Sequence, residues 1–372
     1  MTTFHKTEET YVSGSTTLPQ KYYTGDDMFA LEQQRIFRKY WTCAGHQSRI
    51  PEAGNYFLLN LFGESLIILR DKQGQIRAFY NVCRHRGTRI CEEAEGRFSS
   101  SIQCSYHAWT YGLDGQLIGA PFMKEVKEFR WEDYPLRAAP VHIWEGFIFV
   151  HLSMDEPAAF EQTYAPLVGR FTQWNLAGLR SERRISYEVK SNWKYIFQNF
   201  NECYHCPTIH PLLNQFTDYT SGNNDLTDGP FLGGFMDITR ESMTVTGRIC
   251  ALPLGELGED GKRGYYYSIL PNLLLNIHPD YVMFHLVFPE APGRSLIVSE
   301  WLFNPESFER SDFHPQDAVD FWHETNLQDW HVCELGQLGV SSQGYAPGWY
   351  SPRESLLAAF DRHYMKIMGE RS

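Results

Sequence analysis

No apolar stretch in this 372-residue chain approaches the roughly 20 residues that cross a bilayer; the longest, at 65–69 and 146–152, are far shorter. No membrane association is therefore expected. Residues 1–10 are polar and charged and lack the apolar core of an export signal, so the chain reads as cytoplasmic. Basic side chains are in deficit, with 33 Lys and Arg against 45 Asp and Glu and a formal charge of −12. A surface of that sign repels phosphate backbones, which removes nucleic acid from the expected partners. There is no internal repeat and no low-complexity tract. No G-x-G-x-x-G follows a strand, and the glycines of 229–234 have the wrong spacing and context. Flavin and nicotinamide are thus not expected on this chain.

What is present is a globular composition, 42% apolar and 21% charged, long enough for two domains. Residues 1–20 read as a loose polar arm, and 24–40 carry apolar residues at helical spacing. From 41 to about 155, short branched and aromatic runs alternate with turn signals, among them Asp71–Gly74 and Asp114-Gly115. That texture predicts a small all-β domain. The remainder, 156–372, predicts helices over 160–174, 192–206, 315–337 and 352–368. It also predicts strands over 184–190, 265–270, 273–278, 281–289 and 295–303, with a loop-rich stretch at 218–262. The expected fold is α+β: an arm and helix over 1–40, an all-β domain over 41–155, and an antiparallel sheet covered by helices over 156–372.

Eight cysteines in a long chain without an export signal favour metal binding over disulfides. Cys83-Arg-His85 is followed, after 18 intervening residues, by Cys104-Ser-Tyr-His107. Two thiolates and two imidazoles suit either zinc or a two-iron cluster. The order C-x-H then C-x-x-H differs from the zinc-finger order of a Cys pair followed by a His pair, which favours the mixed cluster. On these residues the segment resembles a Rieske [2Fe–2S] domain, with Cys83, His85, Cys104 and His107 as its ligands. Cys91 fits no position of the pattern and reads as a free thiol.

A second constellation lies in 191–210, SNWKYIFQNFNECYHCPTIH. On an unbroken helix His205 and His210 would point about 140° apart. Pro207 between them is expected to end or kink the helix and bring His210 back. Glu202, three residues before His205, would share its helical face. Two His and one carboxylate with open positions is the facial triad of non-heme Fe(II) oxygenases. Cys203 and Cys206 bracket His205 as a C-x-x-C, but a redox pair usually opens a helix in a βαβ setting, which is absent here.

With both motifs present, the chain resembles the large (α) subunit of the Rieske non-heme iron oxygenases over nearly its whole length. The resemblance implies that His205 and His210 bind a mononuclear Fe(II), that Glu202 bridges toward the cluster, and that a late helical Asp completes the site. Residues 328–334 match that stretch and make Asp329 the choice, although spacing alone does not separate it from Asp312, Asp317, Asp320 or Glu334. The N-F-N-E-C-Y-H-C run, with Glu where the family most often has Asp, is similar to the quaternary-amine branch of carnitine, choline and glycine-betaine oxygenases. That branch implies a homotrimer supplied by a separate reductase, with or without a ferredoxin, so that NAD(P)H acts only through the partner and O₂ is the co-substrate. The implied reaction is hydroxylation or N-demethylation of a small N-methylated amine; the alternative is cis-dihydroxylation of an aromatic acid. Aromatic residues, 15% of the chain, would supply a cation–π cage, with Tyr204, Phe235, Tyr266, Trp301 and Trp349 as candidates.

Overall fold

The structure, a computed structural model, describes residues 3–153, 156–255 and 261–369. Asp155, where the sequence texture breaks, and residues 256–260 of the loop-rich stretch lie outside the described residues. The chain divides into two compact units, Cys43–Thr163 and a larger unit made of Met1–Thr42 with Tyr164–Ser372.

The smaller unit is built from short antiparallel strands. One sheet orders Ala138–Ala139, Ile76–Tyr80, Glu64–Arg70, Asn55–Leu61 and Glu95–Arg97; a three-stranded sheet joins Ser101–Gln103, Thr110–Gly112 and Leu117–Gly119. Their turns were legible. Asp71 is buried, accepts the N–H groups of Gln73 and Gln75 at 2.9 Å each, and meets Arg77 Nε at 2.6 Å, closing the hairpin that Gly74 (φ +80°) completes. Burial would raise the Asp71 carboxyl, and these partners instead hold it below its ordinary value. Gly115 (φ +86°) admits no side chain, because a Cβ would lie 2.4 Å from the Phe79 ring.

The larger unit carries an eight-stranded antiparallel sheet in the order His5–Lys6, Asn223–Leu226, Phe231–Asp237, Arg263–Ile269, Leu273–Ile277, Tyr281–Ala291, Arg294–Phe303 and Arg180–Val189. Two of these strands fall in the segment read as loop. Phe231–Asp237 contains Gly233 and Gly234, where a Cβ would meet Tyr266 O at 2.1 Å and Asn223 O at 2.0 Å, so the glycines that suggested a loop instead permit close backbone approach within the sheet. Residues 5–11 are not loose either: His5–Lys6 adds an edge strand opposite Asn224 and Asn223, and Tyr11 donates to Tyr350 O at 2.8 Å.

The helices lie over this sheet. Trp193–Phe200 is capped by Asn192, whose side chain accepts the Lys194 N–H at 3.0 Å. It ends at Phe200, six residues before the sequence reading stops it, because Asn201 leaves helical geometry and turns its side chain back to Phe197 O at 2.8 Å. Pro315–Val340 starts with Pro at its first turn, as a proline without an N–H permits. Ser355–Met368 packs beside Trp193–Phe200. The expected 160–174 helix is a single turn, Phe160–Thr163, followed by 3₁₀ turns.

Candidate active site

In the smaller unit, Cys83 and Cys104 open two loops of the same build. Each cysteine N–H donates to a carbonyl five residues on, Thr88 O at 2.8 Å and Trp109 O at 2.9 Å. Each cysteine carbonyl accepts from the residue four on, Gly87 N at 3.0 Å and Ala108 N at 3.1 Å. That residue takes positive φ in both loops, +76° at Gly87 and +56° at Ala108. The two imidazoles meet with centroids 4.7 Å apart, and Trp109 stacks on His85 at 4.8 Å. Both thiols are free and buried, and Tyr111 OH lies 3.4 Å from Cys83 Sγ. Burial pushes the Cys83 thiol up, and burial pushes the His85 imidazole down.

In the larger unit, three further ligand-type side chains converge. His205 Nε2 and His210 Nε2 are 3.1 Å apart, and Asp329 Oδ1 lies 3.3 Å from the first and 2.9 Å from the second. Asp329 comes from the Pro315–Val340 helix, whose stripe Trp322, Thr325, Asn326, Asp329 and Trp330 recurs at helical spacing toward one cavity. Asp312, Asp317 and Asp320 lie elsewhere, occupied by Arg310, Thr246 and Gln316, and Glu334 accepts the Lys190 N–H at 2.9 Å. Tertiary placement thus sets Asp329, among these five carboxylates, against the two imidazoles.

The local route to this geometry differs from the expectation. Glu202 and His205 are not on one helix: the chain between them is a turn, and Pro207 begins a new short helix, Cys206–Ile209, rather than ending the old one. Glu202 holds the turn itself, accepting the backbone N–H groups of Tyr204 and His205, while its Oε1 lies 2.5 Å from His205 Nδ1. Burial would keep His205 neutral, but Asp329 and Glu202 outweigh it and push the ring up to about 10. Burial would likewise raise Asp329, and the two imidazoles hold it well below the carboxylate range. The sequence reading missed Gln328, whose Oε1 accepts from His210 Nδ1 at 2.8 Å and so aims Nε2 at Asp329. Its only signal was adjacency to Asp329.

Tyr204, Phe235 and Tyr266 line the cavity beside these groups. Trp301 is fully buried in the hydrophobic core beneath, and Trp349 is 77% exposed, so neither lines it. Cys203 and Cys206 form a disulfide, which the sequence reading disfavours; the turn that ends the helix brings their Cα atoms to 5.0 Å.

Residues 176–370 match the ring-hydroxylating α-subunit catalytic domain, and residues 40–130 match the Rieske [2Fe–2S] domain. The chain belongs to the Rieske ring-hydroxylating oxygenases. It is similar to the oxygenase subunit of glycine betaine monooxygenase from Chromohalobacter salexigens, at 30% identity over 91% of this chain and 82% of that protein. The oxygenase subunit of carnitine monooxygenase from Acinetobacter baumannii is 36% identical over 52% of this chain and 53% of its own length. Among solved structures, the quaternary ammonium Rieske monooxygenase CntA superposes with a TM-score of 0.82 at 25% identity, covering 95% of each chain.

As a Rieske oxygenase, the protein is an oxidoreductase whose family carries a [2Fe–2S] cluster and a mononuclear iron. Its donor sets fit both. His85 Nδ1 is closed to solvent with no hydrogen-bond partner among the described residues, a lone pair left for a metal. In the oxygenase's second site, two imidazoles and an Asp carboxylate, backed by Glu202, already stabilise positive charge where a cation would sit. Cys206 Sγ lies 4.0 Å from His205 Nε2, but its bond to Cys203 leaves it no thiolate to offer. No helix among the described residues is long and apolar enough to cross a membrane.

Proposed function

We propose that this chain is the terminal oxygenase for a small quaternary or N-methylated amine, removing a methyl group as formaldehyde. The single observation that carries the reading is the mutual approach of His205, His210 and Asp329 within 3.3 Å at the wall of an aromatic-lined cavity. In this reading Cys83, Cys104, His85 and His107 hold the cluster, and His205, His210 and Asp329 hold the single iron. When bound, such an iron offers open positions for O₂, and the cluster supplies electrons one at a time. Glu202 keeps the His205 Nδ1 proton and thereby the ring's orientation, and Gln328 does the same for His210. Phe200, Tyr266 and Trp322 supply apolar faces on which a trimethylammonium group is held by cation–π attraction.

The net reaction consumes O₂, two electrons and two protons. One oxygen atom enters a methyl C–H bond and the other leaves as water. The resulting N-hydroxymethyl group collapses by C–N cleavage: the hydroxyl loses its proton, formaldehyde departs, and the tertiary amine is left. A separate reductase supplies the electrons, and the similarity to the quaternary-amine branch supports a homotrimer in which cluster and iron of neighbouring subunits cooperate.

The test is anaerobic purification with assay of iron, acid-labile sulfide and the reduced EPR spectrum. About three irons and two sulfides per chain, with a Rieske signal, are expected. Formaldehyde release from a panel of quaternary amines, driven by a surrogate reductase, then tests the substrate class. Release of a cis-diol from an aromatic acid, with no formaldehyde from any amine, would overturn it.

A further inference from the structure

The oxygenase reaction needs no sulfur at the single-iron site, yet two cysteines bracket one of its candidate donors. Cys203 and Cys206 form a disulfide on either side of His205, with Cα atoms 5.0 Å apart. Both line the cavity beside the converging donors. Cys206 is 3% exposed, and Cys203 is half-buried. Cys206 Sγ lies 4.0 Å from His205 Nε2, which is itself 3.1 Å from His210 Nε2. One ring nitrogen of each imidazole and this sulfur fall within 4.8 Å of one another. A further donor type thus stands against the two imidazoles, tied up by a second sulfur.

A disulfide sulfur is a poor metal ligand, and a thiolate is a strong one. Around one tetrahedral zinc, an imidazole nitrogen and a thiolate sulfur sit about 3.6 Å apart. The 4.0 Å already present is close to that. The donor set therefore depends on the oxidation state of the pair. With the disulfide closed it is two imidazoles and the Asp329 carboxylate, the set of a non-heme iron(II) site. With the disulfide open, a soft thiolate joins, and His, His and Cys with a carboxylate suit zinc. Opening is ordinary thiol–disulfide exchange. A small dithiol entering the cavity attacks Sγ of the more exposed Cys203, and Cys206 leaves as the thiolate beside His205. The reagent's second thiol then closes its own disulfide and releases Cys203. In all, two electrons and two protons pass from the reagent to the pair, and zinc replaces the proton of Cys206. Exchange with an external disulfide reverses the process.

We infer that Cys203 and Cys206 form a redox switch on metal choice. Closed, the pair reserves the site of His205, His210 and Asp329 for iron(II); open, it turns the same site into a zinc site with Cys206 as a ligand. The inference rests on the reading of His205 and His210 as metal donors and is independent of the amine substrate.

The test uses the holoenzyme, purified in air and divided into halves, one of them treated with dithiothreitol and desalted. Alkylation and peptide mass should show residues 203 and 206 linked in the untreated half and free in the treated one. Both halves are loaded anaerobically with iron(II) and titrated with zinc alone, and iron and zinc are counted per chain after desalting. Reduction should lower the zinc concentration that displaces half of the single iron by at least about tenfold, since a thiolate favours zinc over iron(II). Zinc X-ray absorption should show a sulfur shell at about 2.3 Å in the reduced half alone. Cys206→Ser should lose that shell and respond equally in both states. Cys203→Ser, which leaves Cys206 unmasked, should take zinc as the reduced protein does, with or without dithiothreitol. An unchanged cluster EPR signal and circular dichroism spectrum report that each variant is folded.

Complete alkylation of Cys203 and Cys206 without reductant would overturn the switch. So would equal zinc midpoints in the two halves, a missing sulfur shell after reduction, or a Cys206→Ser protein that still answers to dithiothreitol. Formaldehyde release beside a redox-blind zinc titration sinks the switch and leaves the amine-oxygenase reading intact. A redox-dependent titration with no formaldehyde from any amine sinks that reading and leaves the switch standing. About two irons per chain in the closed form would instead sink the single-iron site on which the switch rests, and the iron count shows this before any zinc is added.

Discussion

Asp329 and His210 touch through one 2.9 Å contact, and each depends on a different neighbour for its aim: Asp329 on the helix stripe, His210 on Gln328. Asp329→Ala or His210→Ala should remove the mononuclear iron, dropping the content from about three irons per chain to about two, with sulfide and Rieske EPR signal unchanged and formaldehyde release abolished. Loss of the EPR signal as well would show that the two sites are not independent. In the proposed site Glu202 would act differently, because it meets the His205 ring and not the metal position. Glu202→Gln should retain iron, yet slow cluster reoxidation after one turnover by roughly 10–100-fold, the usual consequence of disturbing a ligand's hydrogen-bond partner. Stopped-flow absorbance of the reduced cluster mixed with O₂ and substrate reads that rate. Among single residues, the Cys and His donors were legible in the sequence, since such pairs at close spacing in a turn-rich segment rarely serve packing alone. Gln328 was not, because an amide carries no signature until the imidazole it meets is placed.

Between elements, three helical segments are tied by buried charge. Glu32, at the end of the Asp26–Glu32 helix, accepts from Lys194 Nζ at 2.5 Å, Trp193 Nε1 at 2.8 Å and Tyr364 OH at 2.6 Å. Both charges are almost wholly buried. Burial pulls Lys194 down, and Glu32 opposes it. Glu32→Ala should therefore cost about 3–5 kcal/mol, because it strands the ammonium, while Glu32→Ala with Lys194→Met should recover part of the loss. Denaturant unfolding measures both. Beside this network, burial pushes Asp361 up to about 7 against its bonds to Tyr350 OH (2.6 Å) and Gln198 (2.7 Å). Its folded-state value lies above the unfolded one, so the folded chain binds the extra proton between about pH 4 and 7, and its contribution to stability falls as pH rises through that window and is flat above it. Asp361→Asn should flatten that segment of the stability–pH curve; a slope unchanged in the variant would place the titration elsewhere. Helix boundaries were the least legible feature here. The 192–206 helix stops at Phe200 because Asn201 satisfies its last carbonyls, a contact that periodicity does not encode.

For the molecule as an assembly, the proposed homotrimer makes a direct prediction. In the proposed site Cys104→Ser would remove a cluster ligand and His210→Ala an iron ligand, and each variant alone should be inactive. Co-expressed, they should form mixed oligomers in which an intact cluster serves an intact iron on another subunit, restoring part of the formaldehyde release. If the mixture stays inactive while size-exclusion chromatography shows mixed oligomers, electrons do not cross between subunits. The division into a β-rich unit and an α+β unit was readable from texture, because runs of short strands with Gly-containing turns differ from helical periodicity over a long stretch of chain. The edge strand His5–Lys6 was not, since its two exposed polar residues are held by the backbone of Asn223 and Asn224 rather than by any pattern of their own.

The candidate donor sets, the α+β class and the kind of chemistry were all written in the linear chain, because Cys-x-His, Cys-x-x-His and a His pair beside a Glu are dense and local. The third ligand stayed open among five carboxylates, and cavity aromatics could not be sorted from core aromatics. Packing distinguishes the members of both sets. A helix stripe brought Asp329, alone of those five, against His205 and His210, and strand alternation turned Tyr266 and Asn276 into the cavity while Trp301 went into the core beneath. The reason is range: a ligand motif within a few residues is carried by the chain itself, whereas the meeting of side chains far apart in sequence is set by how the elements pack.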